Sequence, residues 1–431
     1  MLNISTRSAL LLCALALAPT AASAAAVETI LYSFSGTGIS ADGALPIAGL
    51  LMGPDRSLYG TTTEGGGATC NCGTVFRLVP PAAGQTLWTY SVLHSFTGYP
   101  LDGASPYASL IFDPAGNLYG TTLLGGLHEY GTVFTLTPSS GGSGWDEHVL
   151  HSFAGTADGA FPQANLTFDA AGNLYGTASL GGAEDQGTLF ELTPNGTAWT
   201  LDVLHAFAGG ADGALPRGGV IFDAAGDLYG TTTEDGVTGI AGGTAFKFTP
   251  AGTETVLHTF TDRVIGMPFD GGMPSGPLLF DAAGNLYGTT EVGGGGQVIV
   301  GEASNAGTVY RLAPPQRAQG TWTETLLHSF NGDGKDGSTP VGGVTFDSSG
   351  SLYGVTAAGG RLAGGTAFRM TKSAASPWPE TVLHNFSDSP DGGNPQGGLI
   401  TDGHGNFFGV TLSGTASATS RQVGTVFELT P

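Results

Sequence analysis

The sequence predicts an all-β protein, a seven-bladed β-propeller of four-stranded antiparallel blades. Three observations predict it. The tripeptide Leu-Tyr-Gly recurs at Tyr59, Tyr119, Tyr175, Tyr229, Tyr287 and Tyr353, and Phe407-Phe408-Gly409 is a degenerate seventh copy. Successive copies lie 60, 56, 54, 58, 66 and 55 residues apart, a period that marks a repeat architecture. Each period carries four short runs of β-formers bounded by turn residues, and no long stretch beyond the N-terminus keeps an apolar rhythm of about 3.6 residues.

Residues 1–24 read as a secretory signal. Arg7 supplies the positive start, residues 9–18 the short apolar stretch, and Ala22-Ser23-Ala24 a small-residue cleavage site. That stretch is too short to span a bilayer, and no later segment offers the roughly 18 apolar residues a span needs. Cys13 lies inside it, behind Leu11-Leu12 rather than a small residue, so lipidation there is not expected. The propeller is assigned to residues 27–431, as one domain. The expected location is outside the cytoplasm: secreted, cell-surface or periplasmic.

The second period shows how a blade is written. Residues 90–96 form a strand, and a glycine-rich loop with Asp102-Gly103 and Pro106 follows. Residues 109–112 form a short buried strand, and Asp113-Pro114-Ala115-Gly116 a tight turn. Residues 117–122 and 131–136 are the last two strands, and Thr137-Pro138 ends the run because proline cannot continue a ladder. A four-stranded sheet cannot bury both faces alone; seven packed in a ring can. The termini support closure. Residues 28–34 copy the outer strand, while 424–429 copy the strand that should precede it. Pairing them completes the seventh sheet. The Trp-Asp signature of WD repeats is absent apart from Trp145-Asp146.

Charge narrows the partners. With 35 acidic and 13 basic residues the formal net charge is −22, which repels nucleic acid and anionic membrane surfaces. Only three cysteines exist, so a four-cysteine zinc ribbon is excluded, and Cys70 and Cys72 read as a local disulfide or two loop thiols.

Six periods place a histidine in the outer strand: His94, His151, His205, His258, His328 and His384, with Tyr32 in the first. Histidines on separate blades cannot share one zinc ion, whose bonds are only about 2.0–2.1 Å. Each is expected to be half-buried and bonded to a neighbouring blade or its loop. Asp-Gly follows in every period, at Asp42, Asp102, Asp158, Asp212, Asp270, Asp336 and Asp391, with a proline three residues past the glycine. The main reading is a turn in which aspartate accepts backbone N–H bonds. The alternative is a ring of carboxylates around the channel mouth that binds calcium or a cationic ligand, and these seven are therefore the candidate ligand-binding residues. No cofactor is expected, since one aspartate per blade falls short of the six to eight oxygens calcium takes. A further set, Asp113, Asp169, Asp223, Asp281, Asp347 and Asp402, opens the turn before Leu-Tyr-Gly and reads as structural.

The pattern Glu-Thr-Val-Leu-His-Ser-Phe, Asp-Gly-Ala-x-Pro, Gly-Asn-Leu-Tyr-Gly-Thr-Thr and Gly-Thr-Val-Phe-x-Leu-Thr-Pro resembles the GloVer tandem repeat. The match is close at 254–260 with 285–290, and at 147–153 with 173–177. The resemblance covers the chain after the signal. It implies an exported bacterial protein of unassigned function and supplies no catalytic residues. Such proteins often carry a C-terminal anchor; this sequence ends at Pro431 within the last repeat and departs from that pattern.

Two functions compete. The leading one is a non-catalytic binding or scaffold propeller for an extracellular glycan or protein, expected to be a monomer. The other is a hydrolase or lyase acting on a polysaccharide. A glycosidase needs a carboxylate pair, and a pair should break the repeat symmetry. Glu64, Glu234, Asp235, Glu291 and Glu302 do so, all in the loops between third and fourth strands. That loop is longest in the fifth period, at 291–306, and connectivity sets it on the same face as the Asp-Gly loop. A ligand surface is expected there, biased toward the fifth blade.

Overall fold

The computed structural model describes residues 26–35, 42–67, 70–141, 144–235, 241–261, 270–294, 306–317, 320–387, 391–414 and 423–431. The signal segment and Glu302 lie outside the described residues, as do the tips of both long loops of the fifth period. The described strands form seven antiparallel sheets. Blade 1 holds Leu51–Met52, Leu58–Thr62, Thr74–Val79 and Thr89–Ser95, from inside to outside. Blades 2 to 6 repeat this order. Blade 7 joins Gly393–Thr401, Phe407–Ser413 and Thr425–Thr430 to the N-terminal strand Val27–Ser33. Ile30 stands opposite Phe427, and Tyr32 opposite Val426. The ring is closed by both ends of the chain, as the offset repeats predict. No described helix is long and apolar enough to cross a membrane.

The repeated residues form the joints. The glycine of Leu-Tyr-Gly exists so that a phenylalanine can lie over it: a Cβ on Gly176 would sit 2.7 Å from Phe190 Cζ. The tyrosine edge packs on the next blade, with Tyr119 and Phe168 centroids 5.1 Å apart. Phe153 and Phe190 are fully buried in the cluster joining blades 2 and 3. The turn aspartates are structural too. Asp113 accepts from the backbone N–H of Ala115 and Asn117, from the Asn117 amide, and from the Tyr119 hydroxyl.

Two features differ from the strand pattern. Each outer strand bulges just before its histidine, as between Val149 and His151. The bulge breaks the simple alternation, yet the contact with the phenylalanine two residues on survives, at 4.8 Å for His151 and Phe153. The inner strand is also longer and broken. In blade 2, both Gly103–Pro106 and Ile111–Phe112 pair with Leu118–Gly125. Residues 107–110 between them leave the ladder and run past the ring axis.

Candidate functional site

Two places gather polar chemistry: the seams between blades and the axis of the ring.

At the seams, the repeated outer-strand histidine of each of six periods meets the Asp-Gly loop that follows it. His94, His151, His205, His258, His328 and His384 hold Asp102, Asp158, Asp212, Asp270, Asp336 and Asp391 through Nε2 at 2.8 to 3.2 Å. The same carboxylates accept backbone N–H bonds, for example from Thr97 and Ala208. In the first period Tyr32 replaces histidine, and its hydroxyl donates to Asp42 at 2.9 Å. The seven candidate aspartates thus fold back onto their own strands, and none lines the axis.

A glutamate four residues before the histidine completes most seams from the next blade. Glu28, Glu147, Glu254, Glu324 and Glu380 each have Oε1 buried without a hydrogen-bond partner. Burial pushes each carboxyl up to about 7, helped by the facing Asp391, Asp102, Asp212, Asp270 or Asp336. A carboxyl so raised takes up a proton readily, which relieves the repulsion from the facing carboxylate. The exceptions fit. Where Tyr32 stands for histidine, Tyr90 stands for glutamate, and the two rings stack 4.1 Å apart. Leu201 takes the glutamate position beside the pair His151–Asp158, whose Asp158 Oδ1 has no partner. Burial there holds the His151 imidazolium below its usual range.

In two seams, His94–Asp102–Glu147 and His328–Asp336–Glu380, three potential ligand atoms lie within 4.8 Å of one another. One nitrogen and two carboxylates do not meet calcium's need for many oxygens. Each aspartate also already accepts two backbone N–H bonds.

The axis is built differently. The residue before each repeated proline is never glycine, yet each has a positive φ, from 53° at Ser105 to 57° at Leu45. Non-glycine residues resist this conformation. The neighbouring blade enforces it: Phe161 N–H donates to Tyr130 O, and Leu215 N–H to Gln186 O. Six of the prolines in turn pack on the glycine that opens the fourth strand of the period before. A Cβ on Gly187, whose φ is +104°, would meet Pro216 Cδ at 2.5 Å. The strained turn aims the next residue at the channel.

That next residue is Ile47, Tyr107, Gln163, Arg217, Ser275, Val341 or Gln396, and all seven line one pocket of about 320 Å³ on the axis. Ser109, Asn165 and Glu291 add polar groups. Glu291 ends the third-strand motif of blade 5 and accepts from the Ser275 hydroxyl. Asn165 Oδ1 accepts from Ser109 N–H at 2.8 Å. On the other side the backbones nearly touch: a Cβ on Gly397 would lie 2.2 Å from Gly49 N. Of the non-repeated acids that lie in described residues, Glu291 alone lines this pocket. Glu64 instead accepts from Asn71 at the rim of its loop. The residues after the prolines escaped sequence reasoning because the stretch from each proline to the short inner strand never changes length. Their signal was identity: six residue types fill a position set between an invariant proline and a small residue, alanine or glycine.

Cys70 and Cys72 form a disulfide with Cα atoms 5.3 Å apart, a local clip rather than a frame for the fold.

Three overlapping segments, residues 19–170, 143–314 and 296–431, match the Gloeobacter/Verrucomicrobia repeat, which is the GloVer repeat. The chain belongs to this repeat family. No curated protein matches it. Among solved structures, a candidate 6-phosphogluconolactonase from Bacteroides uniformis is 12% identical, with 83% of this chain and 96% of that one covered at a TM-score of 0.49. A luciferin-regenerating enzyme is 12% identical over 78% of this chain and 92% of its own, at 0.46. A candidate oxidoreductase of glucose dehydrogenase type from Thermus thermophilus is 15% identical over 77% and 97%, at 0.42. At this distance none of them bears on the activity of the GloVer chain.

Proposed function

We propose that this GloVer-repeat protein is an exported, non-catalytic binding propeller that holds a small polar ligand in its axial pocket. The observation that carries this reading is where symmetry fails. Seams, turns and aromatic joints repeat, while the residue after each proline does not. Binding sites are concave, with a few placed polar groups, and departures from a repeat gather where a ligand must be told apart from its neighbours. Export rests on the N-terminal pattern of Arg7 and Ala22-Ser23-Ala24. The disulfide Cys70–Cys72 agrees with it, since such bonds persist in oxidising compartments.

The polysaccharide-cleaving alternative asks for a second carboxylate near Glu291. Among the described pocket-lining residues Glu291 is the single acid, whereas glycoside hydrolysis uses two, about 5 to 9.5 Å apart.

Saturation-transfer NMR with soluble oligosaccharide fragments, followed by product analysis, tests this. The expected result is transfer without turnover, abolished when Gln163→Trp fills the pocket. Turnover lost on Glu291→Gln would establish the enzymatic reading instead.

A further inference from the structure

We infer that Arg217 is the anchoring cation for a singly charged, hydroxyl-rich ligand of the sugar-acid class, bound in the axial pocket through its carboxylate. This inference rests on the axial pocket being the binding site. Its basis is the pattern of basic residues. Five described Lys or Arg side chains are half-buried: Arg77, Arg217, Lys247, Arg311 and Arg369. Four of them have side-chain partners, namely Asp55, Asp227, Thr325 and Ser351. Arg217 has none among the described residues; its Nε is buried and unpartnered, as are those of Arg77, Arg311 and Arg369, but it lacks the second contact that each of those makes. The protein has nearly three acids for every base, so leaving one guanidinium unpaired at the ring centre is not forced by a shortage of carboxylates.

A guanidinium stays charged at any working pH and presents a planar fork of donors that matches a carboxylate. A half-buried charge without a partner is costly, and a ligand carboxylate would remove that cost. Glu291 sets the limit on charge. It lines the same pocket, but no ion pair joins it to Arg217. A second negative group on the ligand would meet Glu291 and the −22 field of the whole protein. A phosphate, with about −1.5 to −2 charges, is opposed more strongly than a single carboxylate.

The remaining lining favours hydroxyls. Gln163 and the Asn165 amide offer donors, Glu291 an acceptor, and Ser109 and Tyr107 groups that do both. Sugar hydroxyls also donate and accept. The volume of about 320 Å³ is at the small end of ligand pockets, suited to one ring rather than a chain.

The test is calorimetric titration of the wild-type chain with glucuronate and galacturonate against glucose and galactose. Arg217→Gln is the main variant, because blades 3 and 7 carry glutamine at the same position; Arg217→Lys is the second. Thermal melts confirm that both variants fold. The expected result is at least tenfold tighter binding of the uronates, lost in Arg217→Gln and partly kept in Arg217→Lys, which retains charge without the fork. Equal binding of acid and neutral sugars, or a preference unchanged in Arg217→Gln, would overturn the role of Arg217 while leaving the axial pocket as the site. No binding of any of the four sugars would overturn this ligand class. If fragments in the NMR screen also ignored the pocket, the axial site itself would fall.

Discussion

Seam and axis are a few residues apart in every repeat, and they obey opposite rules. The seam repeats its chemistry: histidine to aspartate within one blade, glutamate from the next. Where the histidine changes, the glutamate changes with it, as with Tyr32 and Tyr90, although Leu201 replaces the glutamate beside an unchanged His151 and Asp158. The axis repeats its backbone but not its side chains. Seven strained residues and seven prolines aim seven positions at one pocket, and those positions carry six residue types, with only glutamine used in more than one blade apart from the aliphatic pair Ile47 and Val341. Packing accounts for the first pattern; the proposed axial ligand would account for the second.

The contrast can be broken first at a seam. Phe190→Ala empties a fully buried ring between blades 2 and 3, and the loss should be about 3–5 kcal/mol, read by chemical denaturation. Next comes the joint that links the two regions. Gly187→Ala forces a Cβ toward Pro216 Cδ at an unfavourable φ, with an expected cost of about 1–3 kcal/mol. It should also weaken axial binding, because Pro216 positions Arg217. A cost in stability with binding intact would separate seam from axis more fully than proposed.

The third effect is a dependence on pH. The five seam glutamates titrate near 7 in the folded protein against an ordinary 4.5. The folded state therefore holds more protons than the unfolded one between these values, and stability falls as pH rises through that window. Melting temperature should drop by several degrees from about pH 5 to about pH 8. Replacing the five glutamates by glutamine should flatten that slope. At the acid end Asp102, held below the ordinary aspartate range by its bonds to His94 and Thr97 despite burial, works the other way. Its contribution is present above the ordinary aspartate value and is lost as pH falls through its lowered one.

Much of this was legible in the sequence. Offset terminal strands, the bonded histidines and the turn aspartates all follow from spacing and residue type, because packing leaves the same mark in each repeat. The broken inner strand was not legible. Residues 103–106 look like loop, and their pairing with Leu118–Gly125 depends on a neighbouring blade holding the pre-proline residue at positive φ. The site was half legible. Glu291 and the fifth blade were marked by an irregular loop. The seven axial positions were hidden by constant length, and the aspartates drew attention because they repeat, which is the mark of scaffolding here.

The smallest stability effect belongs to the axis. Tyr107→Ala and Arg217→Gln remove no buried joint, so each should stay within about 0.5 kcal/mol of wild type while changing what binds.

Hydrogen exchange of the full chain, with and without saturating glucuronate, is the most direct test of the division. Slowed exchange is predicted at 106–110, 216–220 and 274–278 around the channel, with the turns at 113–117 and 169–173 unchanged. Slowed exchange confined to those turns, or to the outer strands, would contradict it.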